Sequence, residues 1–412
     1  MPPSAKQGQR TYDVVLFGAT GFTGKLVATY LTSHSGKPKW AMAGRSKERL
    51  EKARKELNID SKIGIIEAEN SNSESLRNLA KQARCVINVV GPFRLLGAEE
   101  LVKACIAEGT HYVDLSGETG FNESLIKNHH ESAKKAGVII TPSVGLDSLP
   151  SDISTYLAVQ HLKNELGAPG AEEVIVALKE APIFSTGTVH SACDMADEDK
   201  TQLQFCDESR LATRKPVKPM SNTAAIWLPQ FNAYGGGYVL SPHNVRTVYR
   251  SWSLLEDAEG KDAYGANFSY EDTLVGGSWV FSQVQNRVQN VAGLFLNNLP
   301  PIRWALRRVL PTGGGPSVSM QNRVKTDARA WARYGQKQAV SIFKAPGDPG
   351  YKMTARMISE VALATALDHD RLHPLAKEGG VLTAATTGAN IICERLKKYA
   401  DFEFKTETFS EP

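Results

Sequence analysis

Val14-Val15-Leu16-Phe17-Gly18-Ala19-Thr20-Gly21-Phe22-Thr23-Gly24 decides the fold of this chain. An apolar run breaks into a glycine turn, and an amphipathic stretch from Lys25 to Ser33 follows. That order reads as strand, tight turn and helix. Gly18 permits the turn, Gly21 lets a pyrophosphate approach the backbone, and Gly24 allows close packing of helix on strand. The free N–H groups of the first helical turn then face the phosphates, helped by the positive end of the helix dipole. Thr20, Phe22 and Thr23 fill the spaces of a G-x-x-G-x-x-G pattern, a variant of the dinucleotide fingerprint, with the required strand before it and helix after it. The stretch predicts a dinucleotide site.

The second apolar run, Trp40-Ala41-Met42-Ala43, ends in Gly44-Arg45-Ser46-Lys47. An NAD-preferring fold places an acid here for the ribose 2′-hydroxyl. No acid stands at this corner. The guanidinium of Arg45, with Ser46 beside it, suits a 2′-phosphate instead, which predicts NADP(H). Ser46 is equally placed to cap a helix over 47–57.

Working outward, strands are predicted at 12–18, 39–43, 62–67, 84–90, 111–115 and 137–140, with helices at 23–33, 47–57, 73–82, 97–108 and 122–136. This alternation implies an α/β fold with a Rossmann-type, doubly wound parallel sheet. Ligands in such sheets bind beyond the carboxyl ends of the strands. Three further segments fall at that rim. Asn88-Val89-Val90-Gly91-Pro92-Phe93 closes the fourth strand, with Gly91 and Pro92 passing under the cofactor and Phe93 as an apolar wall. Tyr112-Val113-Asp114-Leu115-Ser116-Gly117-Glu118 closes the fifth and offers Tyr112, Asp114 and Glu118 as candidate catalytic groups; the alternative is that Asp114 satisfies backbone donors and Glu118 caps the helix after it. Gly145-Leu146-Asp147-Ser148-Leu149-Pro150-Ser151-Asp152 follows the sixth, with Gly145 at a sharp turn; either the loop faces the nicotinamide through Gly145 and Asp147, or Ser148 or Ser151 simply caps a helix over 152–161.

After residue 150 the pattern loosens. Strands are expected at 174–178, 238–240, 245–250 and 318–324, with loops such as Tyr234-Gly235-Gly236-Gly237 between them. Residues 325–340 are ambiguous by periodicity, and helices are expected at 351–367 and 383–399 before a polar tail. The predicted organisation is a dinucleotide-binding domain over 1–150, completed by C-terminal helices within 351–412. A β-rich α+β domain over 151–350 is inserted between, with a helical insert at 279–310. The substrate cleft is expected between the two domains.

The chain has 412 residues, 48 basic against 44 acidic side chains and a formal charge of +4. So balanced a charge gives no case for nucleic-acid binding. Cys85, Cys105, Cys193, Cys206 and Cys393 lack C-x-x-C spacing, which argues for reduced thiols and against zinc. No metal is expected. The polar opening MPPSAKQGQR has no apolar core, so the expected location is cytoplasmic. The segment 279–310 qualifies this. Its apolar runs are too short to span a bilayer, yet Trp, Leu and Arg at helical spacing suit a membrane surface. A helix packed on the neighbouring domain, or on a partner subunit in a homodimer, is the alternative. His129 and His130 read as solvent-facing. His190, in Ser185-Thr186-Gly187-Thr188-Val189-His190-Ser191, is either a satisfied buried histidine or a proton donor. No Tyr-x-x-x-Lys pair follows the fourth or fifth strand, which argues against simple alcohol–ketone chemistry.

Through Gly18–Gly24, Ala43-Gly44-Arg45-Ser46, Asn88–Phe93, Tyr112–Glu118, Gly145–Asp152, Gly347-Asp348-Pro349-Gly350-Tyr351 and Gly379-Gly380-Val381-Leu382-Thr383, the chain resembles the saccharopine dehydrogenase-like oxidoreductases. Within them it is most similar to the trans-acting enoyl reductases of bacterial lipid assembly. The resemblance implies a Rossmann domain completed by C-terminal helices, and a small-molecule substrate that is lipid- or polyketide-like. It also implies a precedent for peripheral contact with lipid droplets or membranes.

Three functions stay open at this level. An enoyl reductase would pass a hydride to the β-carbon of a thioester and need donors for the developing enolate. An imine reductase would use Asp114 or Glu118 to steady an iminium. A cofactor-binding scaffold would turn nothing over. Tyr112, Tyr351 and His190 are the candidate proton donors.

Overall fold

A computed structural model describes residues 10–179, 186–203, 207–216, 225–260, 263–310, 315, 317, 319 and 325–410. They form two compact units. The first holds the described residues up to Leu146 together with Gly350–Asp401; the second holds almost all the others.

The first unit opens with β1 (Tyr12–Phe17), α1 (Phe22–Ser33), β2 (Trp40–Gly44), α2 (Lys47–Glu56), β3 (Gly64–Glu67), α3 (Ser73–Ala80), β4 (Ala83–Asn88), α4 (Ala98–Glu108), β5 (His111–Asp114), α5 (Thr119–Ala136) and β6 (Ile139–Thr141). Val14, Val15 and Leu16 of β1 are fully buried, so this strand is apolar on both faces, as a central parallel strand must be. β1 pairs with β2 and with β4, and the two crossovers leave it in opposite directions. That reversal makes the sheet doubly wound and puts the end of β1 at the switch point. The predicted α/β class is the observed one.

The second unit begins with α6 (Leu149–Asn164), followed by β7 (Glu173–Leu178), α7 (Thr186–Glu198), β8 (Trp227–Leu228), β9 (Ala233–Gly236), α8 (Ser241–Glu259), β10 (Tyr270–Gly276), α9 (Trp279–Asn298), α10 (Pro300–Val309), β11 (Lys325–Tyr334) and β12 (Lys337–Pro346). Several expectations need correction here. The strand expected at 245–250 lies inside α8, whose residues 241–256 are all buried, so neither helical nor strand periodicity shows in the sequence. Residues 238–240 form a turn, whereas Gly235 and Gly236 of the expected loop lie in β9. The ambiguous stretch 325–340 is a hairpin, with β11 paired antiparallel to β12 and Gly335 at φ +55° in the turn. The strand expected at 318–324 falls outside the described residues apart from the single position 319.

The chain then returns to the first unit with α11 (Thr354–Leu367), α12 (Pro374–Glu378), β13 (Gly380–Val381) and α13 (Ala384–Ala400). Before α11, residues Pro349–Met353 form one π-helical turn, so the helix expected from 351 starts three residues later. β13 extends the first sheet, whose order is β13-β6-β5-β4-β1-β2-β3, all parallel. α11 is buried along most of its length and carries Glu360, which receives Tyr30 Oη at 2.6 Å, Arg395 Nε at 2.9 Å and His34 Nε2 at 2.9 Å. A buried carboxylate needs that set of partners.

A final strand, β14 (Glu403–Thr408), corrects the expectation that 351–412 wholly completes the first domain. It pairs antiparallel with β12, and Phe402 and Phe404 pack edge-on against Phe343. The second sheet therefore runs β14-β12-β11-β7-β10-β9-β8, with β7 and β10 parallel and the other pairs antiparallel. Among the described residues, no helix is long and apolar enough to cross a membrane.

Candidate functional site

The rim of the first sheet gathers most of the candidate residues. Gly18 has φ +95°, and a Cβ there would lie 2.7 Å from Val90 Cγ2, so the turn rests directly on the end of β4. At Gly24 a Cβ would be driven into the carbonyl oxygen of Gly18, so only glycine lets α1 start this close to the turn. Gly21 differs. Its added Cβ meets only Gly18 O at 3.5 Å, and the residue is exposed, as is Thr20. Space above Gly21 is therefore open on the side where a phosphate would sit. The first α1 amide to find a carbonyl is Lys25 N, on Gly21 O at 2.9 Å. This leaves the N–H groups of Phe22, Thr23 and Gly24 available at the positive end of the helix.

The corner after β2 is tied to this turn, because the amides of Gly18 and Ala19 both donate to Ala43 O. Ser46 Oγ accepts from Arg49 N at 3.3 Å and caps α2. Arg45 is exposed, and no ion pair or hydrogen bond holds its guanidinium among the described residues. The cradle of glycines, free amides and an unengaged guanidinium fits a dinucleotide carrying a 2′-phosphate.

Below the turn, Val90 N donates to Asn88 Oδ1 at 3.0 Å, and the Gly91–Pro92 peptide is cis. Phe93 is not the exposed wall that the sequence suggests. Its ring is buried against Phe121, with centroids 5.8 Å apart. Glu118 explains why the loop turns inward: its Oε1 accepts from Phe93 N at 2.8 Å and its Oε2 from Arg94 N at 3.0 Å.

Asp114 and Tyr112 are buried as well. Asp114 Oδ1 accepts from Ser116 N at 2.9 Å and Ser143 N at 3.1 Å, while Asn88 Nδ2 donates to Tyr112 Oη at 2.9 Å. Burial raises Asp114 and Tyr112 above their ordinary pKa values, and the hydrogen bonds to Asp114 partly oppose its shift. These contacts staple the carboxyl ends of β4, β5 and β6 together. Gly145 continues the same packing, since a Cβ there would lie 3.0 Å from Thr354 Cγ2, and Leu146 N donates to Thr354 Oγ1. Tyr351 meets the edge of Phe22 at 5.2 Å between centroids, which brings it to the start of α1. The histidine pair is corrected: His129 is buried with Nε2 2.8 Å from Glu99 Oε1, and His130 Nδ1 accepts from Val381 N.

Asp147 and His190 stand elsewhere, in the second unit. His190 lies on α7, half-buried, with Nε2 unpaired. Asp147 belongs to an acidic cluster that the sequence does not announce. Burial and the neighbouring Asp272 raise it to about 7, and its Oδ1 is buried without a partner. Asp272, raised by burial to about 6, accepts from Asn244 Nδ2 at 2.6 Å, Ser151 Oγ at 3.3 Å and Ser241 Oγ. The only sequence signal for Asp272 is the acidic pair Glu271-Asp272 inside an otherwise strand-like stretch. Among the described residues, no His, Cys, Asp and Glu group has the arrangement of a metal site.

Comparison with known proteins agrees with the rim geometry. Residues 14–141 match the saccharopine dehydrogenase NADP binding domain. A Mycobacterium tuberculosis protein named as a trans-acting enoyl reductase is 33% identical over 419 residues, covering 94% of this chain and 96% of that one. The chain belongs to the trans-acting enoyl reductase family, within the saccharopine dehydrogenase-like oxidoreductases. The trans-acting enoyl reductase of Mycobacterium leprae is 31% identical over 418 residues, with the same coverage. Apo saccharopine dehydrogenase (L-Glu forming) from Saccharomyces cerevisiae shares the fold, with a TM-score of 0.53 at 14% identity over 97% of this chain and all of that one. This family member is an NADP-dependent oxidoreductase.

Proposed function

We propose that this reductase saturates an activated C=C bond, as in an enoyl thioester or a polyketide- or lipid-like chain. NADPH supplies the hydride for such a reduction, and a proton completes it. The reading rests on one observation: similarity to proteins named as enoyl reductases runs through both units rather than through the cofactor domain alone.

The rim favours the same chemistry over imine reduction. An iminium needs a carboxylate that can face it; Glu118 has both oxygens engaged, and Asp114, whose Oδ2 has no hydrogen-bond partner among the described residues, is fully buried. Glu118 holds two backbone amides of the loop after β4, and Asp114 holds two more after β5 and β6. We assign the pyrophosphate to the amides of Phe22, Thr23 and Gly24, and the 2′-phosphate to Arg45 with Ser46. Val90, Gly91 and Pro92 form the floor beside Gly18. Tyr112, Asp114, Glu118 and Gly145 act in this reading by positioning that floor, and Tyr351 by packing on Phe22.

Titration with NADPH and NADH, followed by nicotinamide fluorescence, tests the cofactor assignment. A charge-assisted hydrogen bond contributes about 1.5–3 kcal/mol. Arg45→Ala should therefore weaken NADPH roughly 10- to 150-fold and leave NADH unchanged. NADPH oxidation with unsaturated thioesters, and none with amine–carbonyl mixtures, is expected. The opposite substrate preference would overturn the proposal.

A further inference from the structure

Helix α9 is amphipathic in the wrong direction for a lone chain. Its inward face is polar: Ser282 Oγ donates to Tyr234 O, Gln285 Nε2 donates to Gly237 O at 3.1 Å, and only Ser282 and Asn297 are buried. Gly236 and Gly237 make that approach feasible, since a Cβ at either would strike the side chain of Gln285 or Gln289. The outward face is apolar. Phe281, Val284, Val288, Val291 and Phe295 are each 45–61% exposed. They recur at intervals of three, four, three and four residues, the spacing of a seam that takes knobs-into-holes packing against another helix.

The occupant can be argued from charge and area. Arg287 is the single charged residue in Trp279–Asn298. A membrane-surface helix carries a strongly basic polar face, and α9 has none. Two of the three arginines of α10 are spent on ion pairs, and the third, Arg308, lies over the Trp304 ring. Arg303 pairs with Asp197, and Arg307 with Asp194 and Asp197. An uncharged seam is also compatible with itself, since no like charges meet across a twofold axis. With Trp279, Val280, Leu294 and Leu299 included, the exposed apolar surface is on the order of 800 Å², more than the ~300–600 Å² patch of an ordinary monomer. It equals the ~800 Å² that each partner gives to a standard interface.

We propose that α9 is the seam of a homodimer, packed against the same helix of a second copy around a twofold axis. The pairing buries the stripe that the chain itself leaves open.

Light scattering on the full chain, coupled to size exclusion, reads the assembly directly. The expected mass is twice 44.9 kDa. The double variant Val284→Glu/Val288→Glu should weaken association at least ~100-fold and run as a folded monomer by circular dichroism, with a lower melting temperature as the partner's stabilisation is lost and unchanged NADPH affinity. Both positions are solvent-exposed in the single chain, so its fold should tolerate them. Mixing Val288→Glu with Val288→Lys chains should restore a dimer, because opposite charges then face each other. A monomeric wild type, or a dimer untouched by the glutamates, overturns the proposal. A monomer that floats with phosphatidylcholine vesicles, and loses that ability in the double variant, overturns it in favour of a lipid surface.

Discussion

Replacing Asp147 by asparagine should flatten part of the pH dependence of stability. Burial and the nearby Asp272 raise Asp147 to about 7, against about 3.9 for a free aspartate. Between those values the folded chain keeps a proton that the unfolded chain releases. Stability supplied by this group is therefore complete below about pH 4 and is lost as the pH rises through about 7. The slope is about 1.4 kcal/mol per pH unit, so about 3 kcal/mol disappears between about pH 5 and pH 8. Asparagine does not ionise. The stability difference, variant minus wild type, should rise by about that amount over the same interval. Asp272, raised to about 6, acts in the same direction, and because its charge is one cause of the Asp147 shift the difference reports the pair rather than Asp147 alone. Urea unfolding followed by tryptophan fluorescence suits the measurement, because Trp227, Trp252, Trp279, Trp304 and Trp331 lie in the second unit with Asp147, while Trp40 alone lies in the first. A difference that stays level across the interval would refute the reasoning and place Asp147 in contact with a cation or a solvent path.

Two further substitutions probe the rim. Gly24→Ala drives a methyl group into the Gly18 carbonyl; overpacking of about 1–3 kcal/mol should lower Tm by roughly 2–12 °C, and NADPH affinity should fall with it in the same titration. Tyr112→Phe leaves Asn88 Nδ2 without its buried acceptor and should cost about 1–3 kcal/mol in urea unfolding with kcat unchanged. A collapse of kcat at full stability would instead make Tyr112 a proton donor.

The first sheet is legible because each strand and helix carries its own period and its own punctuation. Gly18, Gly97, Gly109 and Gly137 sit at positive φ where strands turn into helices or helices end, and each stands out in the sequence. The second unit hides its plan for a physical reason. α8 is enclosed on every side, so Val245–Arg250 shows no exposed face to mark a helix. Gly235 and Gly236 read as a loop, although they serve a strand against which glutamines pack. The candidate site divides in the same way. Backbone features such as Gly18 and Gly24 are visible from spacing. The engagement of Glu118 with the amides of Phe93 and Arg94 depends on two strands meeting, and no local pattern encodes it. The partnership of Asp147 with Asp272 is longer in range still.

The interleaving of the sheets governs how the chain can be made. Strand β13, which sits beside β6, is translated only after the whole second unit has passed, and β14 comes later again. At typical elongation rates of about 5–20 residues per second, the edge of β6 waits on the order of ten to fifty seconds for its neighbour on the ribosome. During that wait the unpaired amides of β6, and the apolar surface destined for α11, stand open to other nascent chains. Expression of this reductase should therefore depend on chaperone supply more than its finished stability suggests, and a circular permutant that begins ahead of α11 would close the first sheet without the delay.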